Sequence, residues 1–341
     1  MSACTYAGDD AAPLRDQTLH WQPTLTTKAH AIGSTNLRFL QLDVFTQRVG
    51  GGNPLGVVFG ANLWSASQMQ AFARWTNLVE TTFVLAPSVA GASYQLRIFS
   101  PSKEIPFAGH PTIGSAHAVL ETGFSGLNSR GELVQQCAAG LLNIRTDYIN
   151  GMRELYVAAP GAKVLKTGID AHPTLSNILS GVQLGILPPA FVDGGRRWWL
   201  AELASEAELR AWKPDHASIG VLAKASESMG LCAFARSNQE SGAFARSQSS
   251  PDYKLVVRAF PAGVGIIEDP ASGAANGLLA AFIETMEPNG ELSAGYDVSQ
   301  GREIGHDATL KIRFEKGRDP SVVWVGGQTH TVIDGQLRWP V

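Results

Sequence analysis

The sequence predicts an α+β protein of two homologous lobes, and three observations carry that reading. Alternating apolar strands and short amphipathic helices follow one another along the chain from Leu37 onward. A glycine-rich crossover, Phe107-Ala-Gly-His110-Pro111, joins the strand Tyr94–Phe99 to a helix running from Pro111 to Glu121. The same strand–turn–helix recurs later: at an offset of 159 residues, the stretch His110–Leu120 lies over Asp269–Leu279 with Pro, Gly, Ala and Leu matching. Upstream, Arg97-Ile-Phe99 resembles Arg258-Ala-Phe260. Two related lobes would bring two helix N-termini together across a cleft, with His110 on one side and Asp269 on the other. The expected organisation is an extension over residues 1–36, a first lobe over 37–160 and a second over 161–330. The C-terminal strand, about 331–341, is a candidate to return to the first lobe.

Each element has a local reason. Leu37–Phe45 alternates apolar and polar residues and reads as a strand, Gly50-Gly-Gly-Asn-Pro54 as a turn, and Leu55–Phe59 as the next strand. Ser65 caps a helix that runs through Trp75 with Met69, Phe72 and Ala73 on its apolar side. Thr81–Leu85 is a strand, so Glu80 falls at a helix-to-strand junction. Gly109 lets backbone approach a ligand closely, and Pro111 suits a first helical turn, where its missing N–H costs nothing. Thr112, Gly114, Ser115 and Ala116 keep that turn slim, leaving its N–H groups free to face an anion. Gly123 closes the helix as a residue suited to left-handed backbone.

Leu133–Val157 holds three short strands, with Asn150-Gly151 as a hairpin turn. Ala158-Ala-Pro-Gly161 reads as the passage between lobes. Beyond it, His172–Val182, Ser205–Trp212 and Ala217–Met229 read as helices, with Trp198–Leu203, Leu231–Ala235 and Tyr253–Phe260 as strands. Ala233-Phe-Ala-Arg-Ser237 recurs as Ala243-Phe-Ala-Arg-Ser247, a local duplication within a Ser/Gln/Asn-rich surface loop, residues 237–251, placed where it could also act as a lid. Ala271–Met286 is the second central helix. Strands Thr309–Phe314 and Val322–Gly326 and a final hairpin follow.

Composition narrows the function. With 341 residues, 17% charged side chains, 36 glycines and a net charge of −3, the chain can bury a large core and shows no basic stripe for nucleic acid. No apolar run approaches a membrane span. Cys4, Cys137 and Cys232 are scattered without metal or disulfide spacing, which fits a reducing, cytoplasmic setting. Residues 1–36 are polar and lack the apolar core of a secretion signal, so a flexible extension is expected, with an ordered arm on the lobe surface as the other reading. His110 has no partner at metal-ligand spacing, and neither a phosphate-binding loop nor a dinucleotide fingerprint is present.

Five motifs in order carry a family resemblance: Asn53-Pro-Leu-Gly56, Glu80-Thr-Thr-Phe83, Pro106-Phe-Ala-Gly-His-Pro-Thr112, Glu268-Asp-Pro-Ala-Ser-Gly273, and Gln300-Gly301 with the closing Gly326-Gly327 and Gly335-Gln-Leu337. From about Leu37 to the end, the chain resembles the PhzF-like (phenazine-biosynthesis) isomerases. The resemblance implies a diaminopimelate epimerase-like fold, each lobe a curved, mostly antiparallel sheet around a central helix, with the site between lobes. It also implies a homodimer, a small-molecule carboxylic acid as substrate, and neither metal nor organic cofactor.

By the same resemblance, Glu80 matches the acid/base that moves a proton between carbons of one substrate. His110 and Asp269 match the residues that position and polarise it. Asn53, Gly109, Thr112, Ser272, Gly273 and Ala274 fall in the matching substrate-binding motifs. A carboxylate in a closed apolar cleft has its pKa raised and can both take and return a proton near neutral pH. Racemases of this fold use two cysteines, and neither repeat holds one here. Three positions depart from the family pattern: Val79 and Ala274 stand where serine is usual, and His306 where arginine is usual. The pocket is therefore more apolar, and the expected substrate is a relative of the family's dihydro-hydroxyanthranilate, a small cyclic or conjugated biosynthetic carboxylic acid. Two alternatives remain open on the residues: a non-catalytic small-molecule binding protein on the same scaffold, and a cyclisation or elimination run by the same base.

Overall fold

The computed structural model describes residues 37–237, 253–317 and 321–339. The expected extension over 1–36 and nearly all of the 237–251 loop lie outside the described residues. The first lobe contains β1 (Leu37–Val44), β2 (Asn53–Phe59), α1 (Ala66–Thr76), β3 (Glu80–Leu85), β4 (Tyr94–Phe99), the two-residue β5 (Glu104–Ile105), α2 (Gly109–Glu121), β6 (Glu132–Cys137), β7 (Gly140–Ile149) and β8 (Met152–Ala158). Next come β9 (Lys163–Thr167), α3 (Pro173–Ile178), β10 (Ala190–Asp193), β11 (Arg197–Glu202), α4 (Glu206–Ala211), α5 (His216–Ala225), β12 (Leu231–Arg236) and β13 (Leu255–Phe260). The chain closes with α6 (Gly273–Met286), β14 (Tyr296–Gln300), β15 (Ala308–Glu315), β16 (Val322–Gly327) and β17 (Thr329–Leu337).

Strand pairing makes the internal repeat explicit. In the first lobe the order is β17-β1-β2-β3-β4-β6-β7-β8, parallel only at β2–β3 and β4–β6. In the second it is β9-β10-β11-β12-β13-β14-β15-β16, parallel only at β11–β12 and β13–β14. The parallel pairs occupy the same places in both orders, as expected of duplicated halves. β8 pairs with β16, so the two curved sheets join and the lobes pack as one compact unit. β17 pairs with β1 rather than folding back on β16, so the expected final hairpin is instead a crossover to the first lobe.

Each sheet wraps one apolar helix. α2 touches β1, β2, β3, β4, β6, β8 and β17, and is buried almost all round because its residues are small. α6 is likewise buried from Ala275 through Ile283, with Ala274 open to the cleft, and packs on β10, β15 and β16. Burial on every side explains why neither helix shows a strong polar face. The outer faces are covered separately. Met69 and Phe72 of α1 pack with Trp64, Phe83 and Phe99 on the first lobe, while Leu209, Ile219 and Leu222 of α4 and α5 pack with Trp199 and Phe260 on the second.

Several boundaries differ from expectation. α2 begins at Gly109, not Pro111, and α6 at Gly273, not Ala271. The two helix starts lie against each other: a Cβ on Gly109 would lie 3.4 Å from the Gly273 Cα. The helix starts are thus offset by 164 residues rather than 159, and His110 and Asp269 are not equivalent positions of the repeat. β9, β10 and β14 are strands that alternation did not show, since β9 is mostly exposed and β10 has only four residues. α3 is six residues long, starting after His172, whose Nδ1 accepts from the Thr174 N–H at 3.2 Å. α5 stops at Ala225, four residues short of the expected end at Met229. Among the described residues, no helix is long and apolar enough to cross a membrane.

Candidate active site

The two central helices point their N-termini at each other across the interlobe cleft. α2 starts after Ala108, which offers no side-chain cap, so its first-turn N–H groups are left to the cleft. α6 starts after Ser272, whose hydroxyl accepts from the Ala275 N–H at 3.4 Å. A cavity of about 880 Å³ opens there, lined by Glu80, Gly109, His110, Asp269, Ser272, Gly273 and Ala274 among others. Its walls are mainly apolar, with Phe45, Ile105, Phe107 and Trp198 contributing.

Glu80 opens β3, and its side chain is 12% exposed. Burial, with a further push from the Asp269 charge, raises its pKa to about 8, while Arg196 pulls the other way. Glu80 Oε2 lies 3.3 Å from His110 Nδ1. His110 is the second residue of α2, and burial lowers its pKa to about 3, with the Pro54 carbonyl acting in opposition. The imidazole is therefore neutral at physiological pH, and this contact joins a neutral ring to a carboxyl group rather than two ions. Glu80 Oε2 and His110 Nε2 are buried and otherwise lack hydrogen-bond partners among the described residues.

Asp269 faces this pair from the second lobe. Its Oδ1 accepts from Asn53 Nδ2 at 2.9 Å and from the Ala271 N–H at 3.3 Å. Burial still dominates, and the carboxyl titrates near 6. Gln300 fixes the backbone beneath it: Nε2 donates to the Asp269 carbonyl at 2.8 Å, and Oε1 accepts from Ser272 N–H and Asn276 Nδ2. The three expected catalytic residues thus line one cleft: Glu80 on β3, His110 on α2 and Asp269 on the segment leading into α6.

The expected binding residues divide into two groups. Gly109, Ser272, Gly273 and Ala274 line the cavity. Asn53 and Thr112 stand behind the lining. Asn53 donates also to the Ala271 carbonyl at 2.9 Å, and Thr112 accepts from Gln135 Nε2 at 3.1 Å inside the first lobe. His306 is also structural, its Nδ1 2.7 Å from the Gly52 carbonyl across the lobes. Val79 lines the cavity, so the missing serine hydroxyl would have faced it.

Two lining residues escaped sequence reasoning. Phe45 adopts φ +64°, a conformation that bulky residues rarely take. It is held there by Phe45 N–H to the Gln328 carbonyl at 2.9 Å and Thr309 N–H to the Phe45 carbonyl at 2.7 Å. Nothing in the local sequence signals this. Arg196 follows Gly194-Gly195, and that glycine pair was the available signal for a tight turn at the cleft. Among the described residues, no group of three or more His, Cys, Asp or Glu side chains is arranged to hold a metal ion.

Two sheet-wrapped helices with Glu80, His110 and Asp269 between their N-termini define a protein of the diaminopimelate epimerase-like fold. Comparison with known proteins places it further. The profile of the phenazine biosynthesis-like protein family (PhzC-PhzF) matches residues 42–335, and the chain belongs to that family. It is 32% identical to Antisense-enhancing sequence 1 of Schizosaccharomyces pombe, over 89% of this chain and 99% of that one. It is also 32% identical to the trans-2,3-dihydro-3-hydroxyanthranilate isomerase of Pseudomonas chlororaphis, over 82% of this chain and 91% of that one. The crystal structure of a PhzF-family phenazine biosynthesis protein of Bacillus anthracis superimposes with a TM-score of 0.74 at 21% identity, covering 90% of this chain and all of the other.

Proposed function

We propose that this protein is a cofactor-independent isomerase that moves a proton between carbons of a small cyclic or conjugated carboxylic acid, with Glu80 as general acid/base. The observation that carries this is the Glu80 carboxyl, pushed up to about 8 within the interlobe cleft beside a neutral His110 and facing Asp269. A carboxyl near pH 8 is a far stronger base than an exposed one, and its acid form is populated at neutral pH, so one group can accept and then return a proton. His110 Nδ1 orients it. The substrate carboxylate sits at the facing N-termini of α2 and α6, where N–H groups and helix dipoles favour negative charge. The same field stabilises charge spreading from the deprotonated carbon. Val79 and Ala274 favour a less hydroxylated substrate than trans-2,3-dihydro-3-hydroxyanthranilate. The working form is taken to be a homodimer, giving twice the 36.3 kDa chain mass by light scattering.

The test is turnover in D₂O with a panel of dihydroaromatic acids, reading deuterium at substrate carbon by mass spectrometry. Wild type should exchange and isomerise at least one acid. Glu80→Gln, which keeps size and removes the base, should lose roughly 10²–10⁴-fold in rate with affinity within a few-fold. An acid that binds tightly, yet neither exchanges nor isomerises, would make the protein a binder and Glu80 a structural carboxyl.

A further inference from the structure

We propose that Arg196 is a specificity-determining residue that holds a second anionic group of the substrate, so that the preferred acid carries two negative groups rather than one. The inference rests on the proposed reading of the cleft as a site for organic acids. Arg196 is half-buried in the wall that the second lobe contributes. Among the described residues it has no carboxylate within 4 Å, and its one hydrogen bond is a weak contact of Nη1 with Met229 Sδ at 3.6 Å. The partly buried Arg210 and Arg236 and the buried Arg258 each hold at least one carboxylate; Arg196 shares its lack of one with the half-buried Arg153, but of the two only Arg196 lines the cleft. A guanidinium facing a cavity without a counter-ion presents unused donors suited to a carboxylate or phosphate.

Its backbone is fixed in that place. The β10–β11 turn crosses α6 at Gly194, where a Cβ would come within 2.5 Å of Leu278 Cδ1. Gly195 follows at φ +84°, its N–H donating to Asp193 Oδ1 at 2.9 Å. A side chain at Gly194 would press on Leu278, and the left-handed backbone at Gly195 favours glycine. Two residues on, Trp198 lines the same cavity as a broad apolar wall, its buried indole N–H without a partner among the described residues.

The surroundings of Arg196 share its sign. The catalytic cavity adjoins a second of about 700 Å³, and Arg196 lines both, together with Lys103 of the first lobe. Arg197 and Lys224 extend this second cavity, against the single acid Glu227. Arg197 is partly neutralised, 3.9 Å from Asp193 and 3.7 Å from Glu227. Lys103 and Lys224 have no carboxylate within 4 Å among the described residues. Arg196 and Glu80 line the same cavity, so an anion placed on Arg196 would share the cleft with the reacting carboxyl. One end of the cleft is thus a pair of helix N-termini and the other an unpaired guanidinium.

Non-reacting probes test this without turnover. Calorimetry on the full chain, wild type and Glu80→Gln, compares benzoate with phthalate, isophthalate and terephthalate. The best dicarboxylate should bind wild type about tenfold or more tighter than benzoate, as expected of one added charge-assisted bidentate contact. Arg196→Met should abolish that preference while leaving benzoate within about twofold, and Arg196→Lys should keep part of it. Equal affinity for all four acids in the wild type would overturn the proposal. So would a preference that survives Arg196→Met, or no binding of any of them. If the dicarboxylate preference holds but no acid ever exchanges deuterium, the acid/base reading falls and the anion subsite stands.

Discussion

The side-chain amide of Asn53, at the start of β2, reaches across the lobes to the Asp269 carboxylate at 2.9 Å and to the Ala271 carbonyl at 2.9 Å. One first-lobe amide therefore holds the segment leading into α6. It also lowers the pKa of Asp269, against the larger effect of burial. Asn53→Ala should cost about 1–3 kcal/mol, the usual penalty for stranding a buried acceptor. It should also move the Asp269 titration to higher pH. Denaturant unfolding and carboxyl NMR read the two effects separately; an unchanged Asp269 titration would remove Asn53 from its environment.

The two lobes contain related arginine–glutamate pairs in different settings. Arg97 holds Glu104 through two hydrogen bonds at 2.8 and 2.7 Å, partly exposed. Arg258 holds Glu268 through two at 2.8 Å, both side chains within 5% exposure, and donates also to the carbonyls of Leu209 and Trp212. Arg258→Met should cost about 3–5 kcal/mol by leaving a buried carboxylate and two carbonyls unpaired. Arg97→Met should cost roughly 1 kcal/mol or less, as screened ion pairs do. Chemical denaturation of both variants checks the ranking, and comparable losses would refute the assignment of the buried pair as the structural one.

Sequence carried the repeat, the strand-start position of Glu80 and the facing of His110 and Asp269, because glycines and prolines at helix starts leave a local signature; Glu80 joined those two only through the family resemblance. It misplaced the repeat register: the strands Tyr94–Phe99 and Leu255–Phe260 repeat at 161 residues and the helix starts at 164, because Phe99 precedes Gly109 by ten residues and Phe260 precedes Gly273 by thirteen, and the match at 159 fits neither. Matching Pro and Gly residues cannot reveal such a difference. β9 was illegible because an exposed edge strand has no reason to alternate. Thr112 sits in a site motif yet turns inward to Gln135, and Arg196 lies in no motif yet faces the cleft. Both facts depend on which way a chain segment is turned, and that is settled by packing at a distance.

Stability should depend on pH through Glu80. Its folded pKa, about 8, lies above the ordinary value of 4.5, so the native state binds a proton that the unfolded chain lacks between those values. Stability from this group therefore increases as pH falls from 8 toward 4.5, and is lost as pH rises through 8. His110 acts oppositely below 6.5, since its folded pKa is depressed to about 3. Asp269, raised to about 6, acts in the same sense as Glu80 but is largely titrated by pH 7, so the change between 7.5 and 8.5 belongs mainly to Glu80. There, Glu80→Gln should flatten the slope and raise stability above pH 8 by on the order of a few kcal/mol, because a buried charge is replaced by a neutral amide. Thermal melts at pH 6.5, 7.5 and 8.5 decide it. A variant as pH-sensitive as wild type would mean that Glu80 is not the buried titrating group.

The last expectation concerns what tunes that carboxyl. Asp269 raises the Glu80 pKa and Arg196 lowers it, so removing either charge should move the titration in opposite directions. In Asp269→Asn the Glu80 pKa should fall, and the base form should persist to lower pH. In Arg196→Met it should rise further. Infrared difference spectra of the protonated carboxyl C=O stretch, with Glu80→Gln as the blank, follow the titration without a substrate. If Glu80 starts the reaction as a carboxylate, kcat/KM should rise with pH toward a plateau above about 8, following the free enzyme's essential base. That limb should shift to lower pH in Asp269→Asn and to higher pH in Arg196→Met, whatever the two variants do to the plateau rate. Shifts of the same sign in both variants would mean that a common structural change, rather than these two opposed charges, sets the Glu80 titration.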